Sequence, residues 1–374
     1  MKPIYFIILT ILLYSCNGQK NTDSNNDSQV SKSNEGAYLY ALDFETGKEI
    51  WKYKTDEVAT GASSDLKSVY FGGGNSFYSV QKDNGELQWK VELDSRIGCT
   101  PISDSAYVYF FSENGIIYSY EKKTHKEVWS INTESSIINF SIGENSIYAP
   151  YKSKYLISIN KETGIINWQF NSIKSPINKA LEYQNKVIFS SDNNMMYCLN
   201  KNNGELLWEW DAKKTSPASP VLYDNKIYLG HLANHIFCIN PDIGSIDWKY
   251  QTTGSVLSNP TIENSILYFG ANNKTFIALS LKTDEIIWEY KTDYWIMSEA
   301  KIVDNRIYFG GAGGNIYCLN KTSGDLIWKY QTNGPLDITN PILIDGKVLY
   351  SGSKDGFKVM MEGNEYDMRT IYSN

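Results

Sequence analysis

Few residues in this chain are of a type and spacing suited to chemistry. His231 and His235 stand four apart in LGHLANHIF, a spacing that could bring two imidazoles to one metal ion. Zinc sites take three or four ligands, and no third ligand stands nearby in sequence, so no metal is expected there. His125 could serve as a general base, because an imidazole titrates near neutral pH. Cys99, Cys198, Cys238 and Cys318 could form disulfides or bind a soft metal. The last three recur in one slot (MMYCLN, HIFCIN, NIYCLN) that other stretches fill with Ala41, Ser79, Ser119, Ser158 or Ala278. Such a slot wants a small, semi-apolar side chain in a packed strand, so free buried thiols are expected. Asp83, Asp242 and Asp325 fall in recurring turns and read as solvated loop residues, and no off-pattern acidic cluster is found.

The residues that do recur are tryptophans. Trp51, Trp89, Trp129, Trp168, Trp208, Trp248, Trp288 and Trp328 are separated by 38, 40, 39, 40, 40, 40 and 40 residues. Each ends one phrase, from AYLYALDFETGKEIWKYKT at the first copy to NIYCLNKTSGDLIWKYQT at the last. A period near 40 that carries short alternating strands marks a radially repeated all-β fold. In residues 299–329 the pattern predicts strands over Ala300 to Val303, Arg306 to Gly310, Asn315 to Asn320 and Asp325 to Tyr330. These runs are rich in Ile, Tyr and Val and are separated by Asn, Asp and Gly, which makes one propeller blade. Four residues ahead of each Trp stand Gly47, Gly85, His125, Gly164, Gly204, Gly244, Asp284 and Gly324. This composition predicts a backbone position with positive φ, and it explains His125 as a turn residue.

Seven full copies run from about residue 64 to 329, and residues 341–361 begin an eighth without a Trp. The first Trp phrase lacks first and second strands of its own. The two partial units are complementary, so an eight-bladed β-propeller closed by N-terminal strand or strands is expected. Closure leaves only short, protected edges. Residues 38–43 and 356–361 both resemble third strands, and the sequence does not choose between them. The alternative is a seven-bladed ring with loosely packed extra strands.

The ends divide the chain into residues 1–15, a signal peptide; 16–36, a lipidated Cys and tether; and 37–374, a single propeller. Lys2 is followed by an apolar run from Pro3 to Leu13, too short to span a bilayer. Leu13-Tyr14-Ser15-Cys16 resembles the lipobox of bacterial lipoproteins, which implies lipid on the Cys16 sulfur after cleavage. Asn17 after the Cys favours the outer over the inner membrane. Residues 17–36, NGQKNTDSNNDSQVSKSNEG, hold only Val30 as a sizeable apolar side chain and cannot offset the entropy of ordering. The formal net charge of −7 argues against nucleic acid as a partner.

The phrase Ala41-Leu42-Asp43-Phe44-Glu45-Thr46-Gly47-Lys48-Glu49-Ile50-Trp51 resembles the tryptophan-docking motif of the quinoprotein dehydrogenases. The resemblance covers essentially 37–374. It implies that each Trp packs between neighbouring blades, with Ala41, Asp43, Thr46 and Gly47 as motif residues. Those enzymes bind pyrroloquinoline quinone and a calcium or lanthanide ion, and many carry adjacent cysteines. This chain has no Cys-Cys pair and lacks their long insertions, so neither quinone nor calcium is expected. A lipobox, a polar tether and one propeller together resemble the shorter non-enzymatic branch, the BamB-type lipoproteins of the outer-membrane β-barrel assembly machinery. That resemblance implies a scaffold that docks on outer-membrane or periplasmic proteins.

Breaks in the repeat point to a contact site. Trp295, in KTDYWIMSEA, stands where other copies have small or polar residues, and Tyr294 and Met297 flank it. Aromatic and Met side chains of this kind suit a partner or ligand surface. Trp295 could equally plug the channel as core. Arg96, in LDSRIGCTP, is a second break. Three functions follow: a non-catalytic envelope scaffold, which is favoured; a ligand-binding or sensor propeller for a sugar or peptide; and a quinone-dependent oxidoreductase.

Overall fold

The computed structural model describes residues 37–353, apart from 56, 58, 136–139, 177, 215, 217, 297 and 333–342. Among these, every regular element is a strand. The strands form eight four-stranded antiparallel sheets arranged as an eight-bladed β-propeller. The fourth blade is typical, with strands Leu181–Tyr183, Lys186–Ser190, Met195–Asn200 and Leu206–Asp211 from the axis outward. Seven blades are continuous in sequence, their first strands starting at Ala59, Ile102, Ser141, Leu181, Val221, Thr261 and Lys301.

The closing blade is shared between the two ends. Leu343–Asp345 and Val348–Gly352 supply its inner strands, and Ala37–Asp43 and Glu49–Thr55 supply its outer ones. The N-terminal phrase therefore takes the third-strand place that the sequence left open, and the competing stretch 356–361 lies outside the described residues. Ala41 pairs with Trp51 on one side and Tyr350 on the other. The seam to the first blade is tight. The Ala59 N–H donates to the Ser353 carbonyl at 3.0 Å, and any Cβ at Gly352 would overlap the Thr60 and Ala59 carbonyls.

Burial follows position in the blade. The second strands are buried on both faces, as in Ser68–Gly73, because a neighbouring blade covers each face. Phe77 and Phe110 stack across one blade junction with centroids 4.4 Å apart, and Phe276 and Phe309 stack across another at 4.0 Å. The fourth strands face water and carry a bulge just before the Trp: Cys318 pairs with Trp328, and Leu319 then pairs with Leu326. The skipped Ile327 and its neighbour Leu326 are 42% and 44% exposed, whereas Trp328 turns inward at 9%. The same register shift recurs in the other fourth strands, which explains the apolar residues on the outer rim.

Candidate functional site

The tryptophan girdle absorbs most of the residues that the sequence marks. All eight turn positions have positive φ, including His125 at 59° and Asp284 at 59°. At the six glycines the next blade's turn lies flat against the preceding blade's indole. A Cβ on Gly204 would sit 2.7 Å from Trp168, and one on Gly47 would sit 2.7 Å from Trp328. The indole N–H then donates across the junction: Trp168 to Lys201 O at 2.8 Å, Trp208 to Pro241 O at 2.9 Å, and Trp328 to Phe44 O at 3.1 Å. Trp51, Trp129 and Trp288 do the same to Lys82, Lys161 and Lys321. A buried indole needs such an acceptor for its single donor.

The two turns without glycine make different junctions. The His125 imidazole stacks on Trp89 at 4.9 Å and 11°, and the Asp284 Oδ1 accepts the Trp248 N–H at 3.1 Å. Trp89 and Trp248, which face these two turns, are also the two girdle indoles that are not fully buried. Within the first motif, Asp43 Oδ1 accepts the Thr46 hydroxyl at 2.6 Å and the Thr46 N–H at 2.8 Å, which holds its carboxyl below the usual range. The small-residue slot is the cross-strand partner of each Trp, as with Cys198 opposite Trp208 and Ser158 opposite Trp168. Burial pushes the Cys198 thiol up to about 12 and the Cys318 thiol up to about 11, so neither is a ready thiolate.

His231 is fully buried, with Nε2 on the Lys214 carbonyl at 2.9 Å and Nδ1 accepting the Ala233 N–H at 3.0 Å. Both ring nitrogens are thus held by backbone, and burial lowers the pKa. His235 stacks on Phe237 at 5.5 Å, so the pair is a packing unit around that ring. Among the described residues no three His, Cys, Asp or Glu side chains converge to hold a metal ion.

The off-pattern loop sits between the sixth and seventh blades. Trp295 is 5% exposed, so it offers little of its indole to a partner. Its carbonyl accepts the Ala312 N–H at 3.0 Å, and Ile296 bridges Gly311. Tyr294 is half-buried and lies flat on Gly313, where any Cβ would overlap its ring. Met297 and Cys16 lie outside the described residues. Arg96 stands on a different junction, with Nε 3.1 Å from Glu57 and 4.0 Å from Glu113, and does not join Tyr294 and Trp295 in one cluster.

A second set of residues, which the sequence did not flag, lines the loop-side mouth of the central channel. Just before the first strands, burial alternates buried, half-buried, buried, as in Asn178-Lys179-Ala180, Ala218-Ser219-Pro220, Ser258-Asn259-Pro260 and Ser298-Glu299-Ala300. The outer members pack between blades, and the middle one faces the lumen. Hydrogen bonds run from blade to blade along the middle members. The Lys179 N–H donates to Ser219 Oγ at 3.1 Å, the Ser219 N–H to Asn259 Oδ1 at 2.6 Å, and the Asn259 amide to Glu299 Oε2 at 3.5 Å. Lys301 caps this row on Glu299 Oε1. Burial lowers the Lys179 pKa, with the Glu299 charge opposing it.

The family model described as "Outer membrane protein assembly factor BamB" matches residues 35–182, 152–291 and 194–365. A BamB of Nitrosomonas eutropha is 23% identical over 150 residues, covering 37% of this chain and 35% of that one. An uncharacterized protein of Rickettsia conorii is 24% identical over 164 residues, covering 38% and 39%. The matched stretch thus spans less than two thirds of these relatives' own length. Among solved structures, BamB from Moraxella catarrhalis superposes with a TM-score of 0.66 at 14% identity, over 78% of this chain and 95% of that one. A europium-containing methanol dehydrogenase superposes with 0.69 at 8% identity, over 78% and 81%. The designed protein Ika8 superposes with 0.72 at 15%, over 86% and 98%. At these identities the superpositions establish the propeller alone. The family match runs through nearly all of the repeat region, and the chain belongs to the outer membrane protein assembly factor BamB family.

Proposed function

We propose that this chain is a non-catalytic scaffold of the bacterial envelope that acts through protein contacts in outer-membrane protein assembly. In this reading residues 1–15 are removed, Cys16 carries lipid, residues 16–36 form a tether, and the propeller is held at the outer membrane. The observation that carries it is the family match over residues 35–365. The site chemistry supports it as well. The thiols and the three histidines are taken up by packing, backbone bonds and the girdle. A closed propeller whose blades are tied together by the indole girdle is suited to presenting loops to partners.

The test is crosslinking in intact cells with a photoreactive residue at Tyr294, followed by identification of the captured proteins. The expected result is capture of outer-membrane barrel-assembly components, together with fatty-acid labelling that Cys16→Ser abolishes. Reduction of a dye by an alcohol or sugar after adding quinone and calcium would contradict the reading. So would capture confined to proteins outside the outer-membrane machinery.

A further inference from the structure

We propose that the loop-side mouth of the central channel is a binding site for one carboxylate group of a small organic anion, with the Lys179 ammonium as its charge partner. This goes beyond the scaffold reading and does not depend on it. The wall is built by four consecutive blades through Lys179, Ser219, Asn259 and Glu299. In that row each side chain after Lys179 is spoken for by its neighbour, and Glu299 is further held by Lys301. The Lys179 Nζ is the exception. Among the described residues none stands within ion-pair or hydrogen-bond distance of it, and Glu299 acts on it only through space.

The local charge has a definite sign. Among the described residues of the row, Lys179 and Lys301 against Glu299 leave one positive charge in excess, inside a chain whose formal net charge is −7. A cation held away from bulk water with no partner is costly, and one carboxylate removes that cost. Ser219 Oγ accepts the Lys179 N–H, which leaves its own hydroxyl proton for a second anion oxygen. Burial lowers the Lys179 pKa, and a bound carboxylate would raise it again. The half-buried position of Lys179 inside a ring of first strands admits a small anion more readily than a folded partner.

The experiment uses the full chain with its lysines reductively methylated with ¹³C. The Lys179 dimethylamine resonance is identified by its absence in Lys179→Met. Acetate and lactate are titrated at constant ionic strength, with chloride as the control. The expected result is a saturable shift of that resonance at millimolar anion, well above the chloride response. Glu299→Gln, which removes the opposing charge, is expected to tighten binding at least three-fold. No saturable shift, an equal response to chloride, or an unchanged affinity in Glu299→Gln would overturn the proposal. A stronger response to the blocked peptide acetyl-Ala-Glu-Ala-amide than to the free anions would also overturn it, by assigning the mouth to a polypeptide.

Discussion

At the scale of single residues, a girdle position is decided by what the next blade's turn allows. Trp168 is 7% exposed, lies against Gly204 and donates to Lys201 O at 2.8 Å. Trp168→Ala removes that packing and orphans an acceptor, so a loss of about 3–5 kcal/mol is expected in urea unfolding. Trp89 is half-buried against His125, and Trp89→Ala should cost less, roughly 2 kcal/mol. Equal losses at the two sites would mean that seating depth does not set the contribution. Gly204→Ala adds about 1–2 kcal/mol for the left-handed backbone alone, before Trp168 has to move. The sequence made the positive φ legible at all eight turns, because six glycines with one His and one Asp have a common backbone reason. It did not show that His125 and Asp284 change the junction itself, since a repeat gives positions and not contacts. The channel row was hidden for a related reason. Its lumen-facing members are Lys179, Ser219, Asn259 and Glu299, four different residue types, and only their place before a small residue or Pro recurs.

At the scale of elements, the blades are joined by ion pairs as well as by indoles. Lysines in the turn before the fourth strand reach back to acids on the preceding blade: Lys82 to Asp345 at 2.6 Å, Lys122 to Asp65 at 3.1 Å, Lys161 to Asp104 at 3.6 Å and Lys201 to Glu144 at 3.3 Å. Where Pro241 occupies that turn, Lys186 instead crosses to Asp242 at 3.0 Å. Most exposed pairs of this kind contribute little. Asp65 is better placed. Burial would raise its pKa, but the Tyr70 hydroxyl, the Lys67 and Ser68 N–H groups and Lys122 outweigh that and bring it to about 2. A folded pKa below the ordinary 3.8 means that the stabilisation is complete above 3.8 and is lost as pH falls through about 2. After allowance for solvent screening this is on the order of 1 kcal/mol. Asp65→Asn is therefore expected to lower stability by about that much at pH 6, with the difference shrinking towards zero at pH 2. A difference that stays constant with pH would place the effect in packing instead. The strands themselves were legible to within a residue in the specimen blade, whereas this ladder was not, because Lys and acid partners lie in different repeats.

At the scale of the whole molecule, the account turns on closure. Eight indole phrases and two incomplete ends pointed to a ring, and the eighth blade is indeed shared between the termini. The choice of its third strand was beyond the sequence, because 38–43 and 356–361 are both short, mostly apolar runs that resemble third strands. Pairing of Ala37–Asp43 with both Glu49–Thr55 and Val348–Gly352 resolves it and leaves that strand no free edge. Without the N-terminal pair, Leu349 and Tyr350, now fully buried, would lose their cover, and Trp328 would lose the Phe44 acceptor. Amide hydrogen exchange of the Leu39–Asp43 segment in the intact chain tests closure most directly. The expected result is protection as strong as that of Met195–Asn200 in the middle of the fourth blade. Exchange of Leu39–Asp43 within seconds while Met195–Asn200 stays protected would contradict the closed ring.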